Sequence, residues 1–207
     1  IHFLGYGYAG GYGLRREQAV FAGITDIPYA SGAVILLRAS ALRQVGLFDE
    51  EMWMYNEDQD LGWRMALAGF RNVIAPKSEA FHQYEFSRSI SKIYFMDRNR
   101  LIVVLQNYHW ATLLLLSPFF VANEIATFFL AAAGGWWREK IRVWRYFLRR
   151  SSWRHLLEKR RLRQDGRTVR EKDIITRFTG KILFQDLQLN QKNSHLFHSR
   201  FSSRIDY

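Results

Sequence analysis

One segment constrains the fold of this chain more than any other. Residues 110–137, WATLLLLSPFFVANEIATFFLAAAGGWW, contain a single charged residue, Glu124. A helix of about 20 apolar residues is long enough to cross the hydrocarbon core of a bilayer. Pro118 interrupts the tract and could divide it into two shorter helices. The tract therefore predicts either a membrane-contacting segment or the core helix of a soluble domain, and its length favours the membrane.

Basic residues are concentrated directly after this tract. The chain has 207 residues and a net charge of +11; residues 138–172 hold 14 basic and 4 acidic residues, whereas residues 1–109 hold 11 of each. Trp136, Trp137, Trp144 and Trp153 lie at this junction, as residues that anchor helices at a membrane surface do. The segment predicts a basic amphipathic helix on anionic lipid. Nucleic-acid binding is the competing interpretation, but no groove-reading motif accompanies the basic residues.

The N-terminal half predicts a compact α/β unit. Residues 1–26 are rich in Gly and Tyr and indicate loops. The following elements are a buried strand at Ala33–Leu37, a helix at Ala39–Val45 ended by Gly46, a helix at Asp58–Ala68 ended by Gly69, a short strand within 71–76 and a helix from about Ser89 to Asn107. The absence of cysteine excludes disulfides, thiolate metal sites and a cysteine nucleophile.

The stretch 55-YNEDQDLGWR-64 carries the densest acidic cluster at a helix start. Asp58-Gln59-Asp60 has the pattern of a divalent-metal site, and Glu57-Asp58 is a carboxylate pair that suits a general base. Asp58 and Asp60 also complement the positive end of the predicted helix. The helix-start position favours the base interpretation over metal binding.

The order of these pieces resembles a known enzyme family. Ser31-Gly32-Ala33, Phe48-Asp49-Glu50, Glu57-Asp58-x-Asp60, His82 and 97-DRNR-100 follow one another as in the C-terminal half of the catalytic domain of inverting family 2 glycosyltransferases. The likeness is closest to the rhamnosyltransferase-like branch that builds bacterial cell-surface polysaccharides, and it covers roughly residues 27–165. It implies the C-terminal half of a nucleotide-diphospho-sugar transferase domain (Rossmann-like, GT-A type, α/β), followed by a membrane-associated helical region.

The resemblance also implies roles for individual residues. Asp58 matches the general base that deprotonates the acceptor hydroxyl, and His82 matches a histidine that reaches a divalent cation, Mn or Mg, on the nucleotide diphosphate. The resemblance implies that five further residues contact substrate or lie on segments that contact it: Ser31, Gly32, Glu57, Asp60 and Arg64. Arg98 and Arg100 are predicted to face either phosphates or solvent.

The family's nucleotide-binding first half, with its own Asp-x-Asp, has no counterpart among residues 1–26. We therefore expect a truncated enzyme that is inactive alone, in which residues 1–109 form the acceptor side of the catalytic domain. Residues 110–165 are then membrane-associating helices and 166–207 a polar tail. The implied partners are a nucleotide-sugar donor and a glycan or lipid-linked saccharide acceptor. A non-catalytic membrane scaffold is a further alternative.

The location of the enzyme follows from its donor. A single membrane span would put the basic segment in the cytoplasm and residues 1–109 outside, away from cytoplasmic nucleotide sugars. A peripheral or monotopic arrangement removes this conflict, with the apolar tract entering one leaflet as a hairpin bent at Pro118. The sequence thus predicts attachment to the cytoplasmic face of a bacterial inner membrane.

Overall fold

The computed structural model describes residues 1–12, 14–18, 21, 23–82 and 91–181, without the side chains of Arg16 and Ser91. The described part is mainly helical. Its helices are α1 Ala39–Val45, α2 Glu57–Leu67, α3 Ser91–Asn107, α4 Trp110–Ala133, α5 Trp137–Leu148, α6 Arg150–Asp165 and α7 Glu171–Ile175. Short 3₁₀ helices occupy Arg16–Gln18 and Glu50–Met52. An antiparallel pair of two-residue strands, β1 Thr25–Asp26 and β2 Val73–Ile74, places Thr25 opposite Ile74.

Several predicted elements are confirmed. Helix α1 has the predicted bounds and ends at Gly46, whose φ is 81°. Helix α2 lies within a residue of its predicted position, and Gly69 follows it with a φ of 86°. Positive φ angles of this size suit glycine, which has no Cβ to clash with the backbone. Helix α3 ends at Asn107 as predicted, while its predicted first residues, 89 and 90, and the tail beyond residue 181 lie outside the described residues.

The predicted buried strand at Ala33–Leu37 is wrong. These residues form no strand in the structure; Val34 is 59% exposed and Leu36 is 100% exposed. A strand forms only beside another strand that accepts its backbone hydrogen bonds. The two strands of the described part pair with each other instead. The Rossmann-like, GT-A type architecture therefore stays a prediction.

The expected hairpin at Pro118 is also wrong, because α4 continues without a break from Trp110 to Ala133. Proline cannot donate the backbone hydrogen bond that would reach the carbonyl of Leu114. The Ser117 hydroxyl donates to that carbonyl instead, at 2.8 Å. The chain turns later, where Gly135 has a φ of 76°, and α5 then returns along α4.

Helix α3 lies at the centre of the hydrophobic core. It contacts α2, α5 and α6. Its buried apolar side chains Ile102, Val103 and Val104 belong to the same cluster as Trp63 of α2. The ring of Trp63 packs edge-on against Tyr108, with 4.8 Å between the ring centroids.

The one charge of the apolar tract belongs to a buried ionic cluster. Glu124 accepts hydrogen bonds from Arg100 of α3 at 2.5 Å and from Trp144 of α5 at 3.0 Å, and it lies 2.8 Å from the Lys140 ammonium. Asp97 bonds the same two cations, at 2.7 and 2.6 Å. Buried charges require such partners. Glu124 therefore joins α4 to α3 and α5.

The predicted basic helix is in fact two helices, with Arg149 between α5 and α6 in an extended conformation. Some of its basic residues are internal. Arg160 of α6 donates to the carbonyls of Leu105 and Tyr108 at 2.5 and 2.6 Å, and Gln164 donates to the carbonyl of Gln106 at 3.1 Å. The last carbonyls of a helix carry partial negative charge, so a guanidinium stabilises them. Helix α6 thus caps the C-terminal end of α3.

Gly62 in α2 generates a prediction for the fold. A Cβ at Gly62 would lie 2.4 Å from Cβ of Tyr29 and 2.8 Å from its Cα. Replacing glycine by alanine within a helix usually stabilises a protein by about 1 kcal/mol. We expect Gly62→Ala to lower the free energy of unfolding instead, by roughly 1–3 kcal/mol, because the methyl group overpacks the contact. Urea denaturation followed by circular dichroism measures the change.

Gly10→Ala is the matched control, because no atom lies within 4 Å of a Cβ built at Gly10. Its free energy of unfolding should stay within about 0.5 kcal/mol of the unsubstituted chain. A stabilised Gly62→Ala variant would show that α2 does not pack on Tyr29.

Candidate functional site

Asp58 is the second residue of α2, and its carboxylate is half-buried. Its Oδ2 accepts a hydrogen bond from the backbone N–H of Gly32 at 2.9 Å, and its Oδ1 accepts one from the N–H of Gln59 at 2.7 Å. Ser31 lies beside this contact, where its hydroxyl accepts from the N–H of Ala33. The structure therefore brings together three predicted site residues, Asp58, Gly32 and Ser31, from segments 26 positions apart.

The loop that leads into Asp58 has an unusual backbone. Trp53, Tyr55 and Asn56 have φ angles of 61°, 66° and 64°, in a region that residues other than glycine rarely adopt. Such conformations cost of order 1–3 kcal/mol each and persist only where the surroundings impose them. Strain of this kind commonly accompanies functional sites, and here it directly precedes the carboxylate pair.

Two residues of α3 impose this loop conformation. The Asn99 side-chain amide, fully buried, donates to the carbonyls of Met52, Met54 and Tyr55 at 2.8, 2.7 and 2.7 Å. The Arg98 guanidinium donates to the carbonyl of Glu51 at 2.6 Å. Arg98 is therefore buried against the loop, and the expectation that it faces phosphate or solvent is wrong. The segment 97-DRNR-100 was part of the resemblance, but nothing in its sequence indicated this contact.

Two groups beside Asp58, Glu57 and Tyr29, have raised pKa values. Burial raises the pKa of Glu57, and the neighbouring Asp58 charge raises it further. Burial and the same charge also raise the pKa of the Tyr29 hydroxyl. The Glu57 Oε2 atom is buried and has no hydrogen-bond partner among the described residues. A positioned carboxylate such as Asp58 is a group that can accept a proton from a substrate hydroxyl.

Asp60 and Arg64, on another face of α2, contact protein groups. Asp60 is fully buried and bonds Arg64 at 2.8 Å, Arg163 of α6 at 2.5 Å and the Asn107 amide at 3.1 Å. Burial by itself raises the pKa of Asp60, but the charges of Arg163 and Arg64 outweigh it and hold the pKa below its usual value. Arg64 also donates to the carbonyls of Val45 and Leu47. Direct contact of either side chain with substrate stays a prediction.

The described residues do not form a metal site. The Asp58-Gln59-Asp60 alternative does not fit, because both oxygens of Asp60 are bonded to guanidinium or amide groups. No group of three His, Asp or Glu side chains in the described ranges could hold a metal ion. His82 is exposed at the end of the 23–82 range. Its contact with Mn or Mg stays a prediction.

Asn99 generates a prediction for the site. Asn99→Ala removes the side-chain amide that donates to three loop carbonyls, which should lower the free energy of unfolding by about 1–3 kcal/mol. Hydrogen–deuterium exchange should become faster in residues 52–58 because the strained loop is released. Gln44→Ala, at an exposed position of α1, is the control and should change neither quantity. Unchanged exchange in the Asn99 variant would contradict the assigned role.

Comparison with known proteins shows a partial relationship. The chain is 40% identical over 67 residues to the N-acetylglucosaminyl-diphospho-decaprenol L-rhamnosyltransferase of Mycobacterium tuberculosis, in strains CDC 1551 / Oshkosh and ATCC 25618 / H37Rv alike. The match covers 32% of this chain and 22% of the relative, so it spans about a fifth of the relative's length. No family model matches the chain. No solved structure matches it either.

The predicted relationship is therefore confirmed at a coarse level. Over about a third of its length, the chain is related to a glycosyltransferase. Membership of family 2, inversion at the anomeric carbon and the individual site roles remain predictions.

Proposed function

We propose that this chain carries the acceptor side of a glycosyltransferase, with Asp58 as the general base. The observation that supports this proposal most strongly is the placement of Asp58 beside Gly32, directly after a strained loop that α3 holds in place. The reaction moves a sugar from a nucleotide-diphosphate donor to a hydroxyl of a lipid-linked or surface-glycan acceptor. The related enzyme's name specifies a diphospho-decaprenol-linked saccharide, which favours the lipid-linked class.

The chemistry requires one positioned carboxylate. As the acceptor oxygen forms a bond to the anomeric carbon, its proton passes to Asp58. The bond from that carbon to the donor phosphate breaks, and its electron pair leaves with the nucleoside diphosphate. Attack from the face opposite the leaving group inverts the anomeric configuration. A divalent cation, as the resemblance implies, would offset the leaving-group charge.

The Asp58 carboxylate is positioned by backbone groups. It accepts two backbone N–H hydrogen bonds, from Gly32 and Gln59. It also lies in the first turn of α2, where the helix dipole stabilises negative charge.

The exposed face of α4 supports membrane attachment. Among the described residues, this helix is the one that is long and apolar enough to cross a membrane. Its bonded Glu124 faces α3 and α5. The opposite face is exposed along the helix and apolar, with the large side chains Leu114, Leu115, Phe119, Val121, Ile125, Phe129 and Leu130. An exposed apolar surface of this extent marks an interaction site.

The arginines of α5 supply the matching charge. Arg138, Arg142 and Arg145 are exposed and share one face of that helix, and the exposed Arg149 directly follows its last residue. We propose that the apolar face of α4 enters one leaflet while these arginines contact anionic headgroups, on the cytoplasmic side where nucleotide sugars are available. Nucleic-acid binding is the weaker candidate, because it leaves the apolar face of α4 without a role.

Asp58→Asn tests the catalytic proposal. The assay follows transfer of L-rhamnose from its nucleotide-diphosphate donor to a polyprenyl-diphospho-N-acetylglucosamine acceptor, in the natural polypeptide that contains this chain. Loss of a general base should lower kcat by about 10²–10⁴-fold. Asp165→Asn, at an exposed acidic residue of α6, is the control and should retain the activity. An Asp58→Asn variant with unchanged kcat would disprove the role of Asp58.

Vesicle sedimentation tests the membrane proposal. The chain should bind vesicles that contain phosphatidylglycerol, and Phe119→Glu with Ile125→Glu should abolish binding because charge is placed in the apolar face. Arg138→Ala with Arg145→Ala should weaken binding to these vesicles roughly thirtyfold, at about 1 kcal/mol per residue. Ile24→Glu is the control at another exposed apolar position. Binding to duplex DNA but not to vesicles would refute the proposal.

A further inference from the structure

We infer that Arg163 of α6 is a positioning residue for Asp58. Helix α6 is therefore part of the catalytic unit. The inference rests on the proposed function and adds to it a residue that sets the geometry of the base. The guanidinium of Arg163 lies 2.5 Å from Asp60 Oδ1 and 3.0 Å from Asp49 Oδ2. The exposed fractions of the three side chains are 5%, 0% and 3%.

These contacts hold both ends of the segment that presents Asp58. Asp49 is the N-cap of the 3₁₀ helix Glu50–Met52, where its carboxylate accepts from the N–H of Glu51. Asp60 lies in the first turn of α2, two residues after Asp58. One guanidinium therefore joins the start of the 49–60 segment to its end. The Asn99 amide holds the middle of the same segment.

The other charged neighbours do not replace Arg163. Arg64 bonds Asp60 but belongs to α2 itself, and its remaining hydrogen bonds go to the carbonyls of residues 45–47. His155 lies 3.3 Å from Asp49 and does not reach α2 in the described contacts. Arg163 alone among these groups connects both carboxylates to α6, which is fixed to the end of α3.

Removal of Arg163 should therefore move the base. Without Arg163, Asp60 retains Arg64 and Asp49 retains the His155 ring among the described contacts. The weaker neutralisation of both buried carboxylates lets them shift toward water or other partners. The start of α2 then moves with Asp60. A displacement of about 1 Å in a catalytic group can lower the rate about 100-fold.

The chain offers a matched control on the same helix. Arg160 is also buried in α6, but its hydrogen bonds reach the carbonyls of Leu105 and Tyr108 in and just after α3. Arg160→Met removes these bonds without touching Asp49 or Asp60, while Gln164 still holds α6 to the carbonyls of Gln106 and Asn107 at the end of α3. It separates a general loss of stability from a specific effect on the base.

The experiment compares Arg163→Met, Arg163→Lys, Arg160→Met and Asp58→Asn in the rhamnose-transfer assay, in the natural polypeptide and at a temperature where circular dichroism shows every variant folded. We expect Arg163→Met to lower kcat about 10- to 100-fold with the KM for the donor unchanged. Arg163→Lys should restore part of that loss, and Arg160→Met should keep the unsubstituted kcat. Hydrogen–deuterium exchange at residues 57–60 should be faster in Arg163→Met than in Arg160→Met.

The possible failures are distinguishable. A normal kcat in Arg163→Met, or an equal loss of kcat in Arg160→Met, overturns the positioning role of Arg163. The Asp58→Asn variant still tests the general-base role of Asp58 separately. Normal kcat in Asp58→Asn overturns the proposed function, and with it the inference. Equal exchange at residues 57–60 in the Arg163 and Arg160 variants also overturns the inference, independently of activity.

Discussion

The structure depends on four consecutive polar side chains along α3, of which Arg98, Asn99 and Arg100 are buried and Asp97 is 15% exposed. Asp97 and Arg100 join the cluster that contains Glu124 of α4 and Lys140 of α5, while Arg98 and Asn99 bind the loop that leads into Asp58. Buried charges and amides are costly unless every one finds a partner. Because the partners come from three different segments, satisfying them fixes α4, α5 and the candidate site in one arrangement.

The same constraint divides the basic residues into two groups. Lys140, Arg160 and Arg163 are buried and bond carboxylates or helix-end carbonyls. The arginines on the outer face of α5 remain exposed beside the apolar face of α4. The net charge of residues 138–172 therefore overstates the positive charge that an anionic surface could contact, because part of that charge is neutralised inside the fold.

Local signals in the sequence predicted much of the fold. Glycines at helix ends and acidic residues at the first turn of α2 gave the helix positions, because these preferences arise within a few residues. The proximity of Gly32 to Asp58 followed from the resemblance. The strand at Ala33–Leu37 failed because strand formation depends on a partner elsewhere. The role of Arg163 could not be predicted either. It is one arginine among many in a basic segment, and the sequence does not indicate which carboxylate each arginine contacts.

The central claim is that α2, α3 and α6 form one cooperative unit through their buried ion pairs and hydrogen bonds. Hydrogen–deuterium exchange across a urea series, read by mass spectrometry on peptides from each helix, tests this claim directly. The account predicts that peptides from Glu57–Leu67, Ser91–Asn107 and Arg150–Asp165 lose protection with a common midpoint. Loss of protection in α6 at a lower urea concentration, while α2 stays protected, would contradict it.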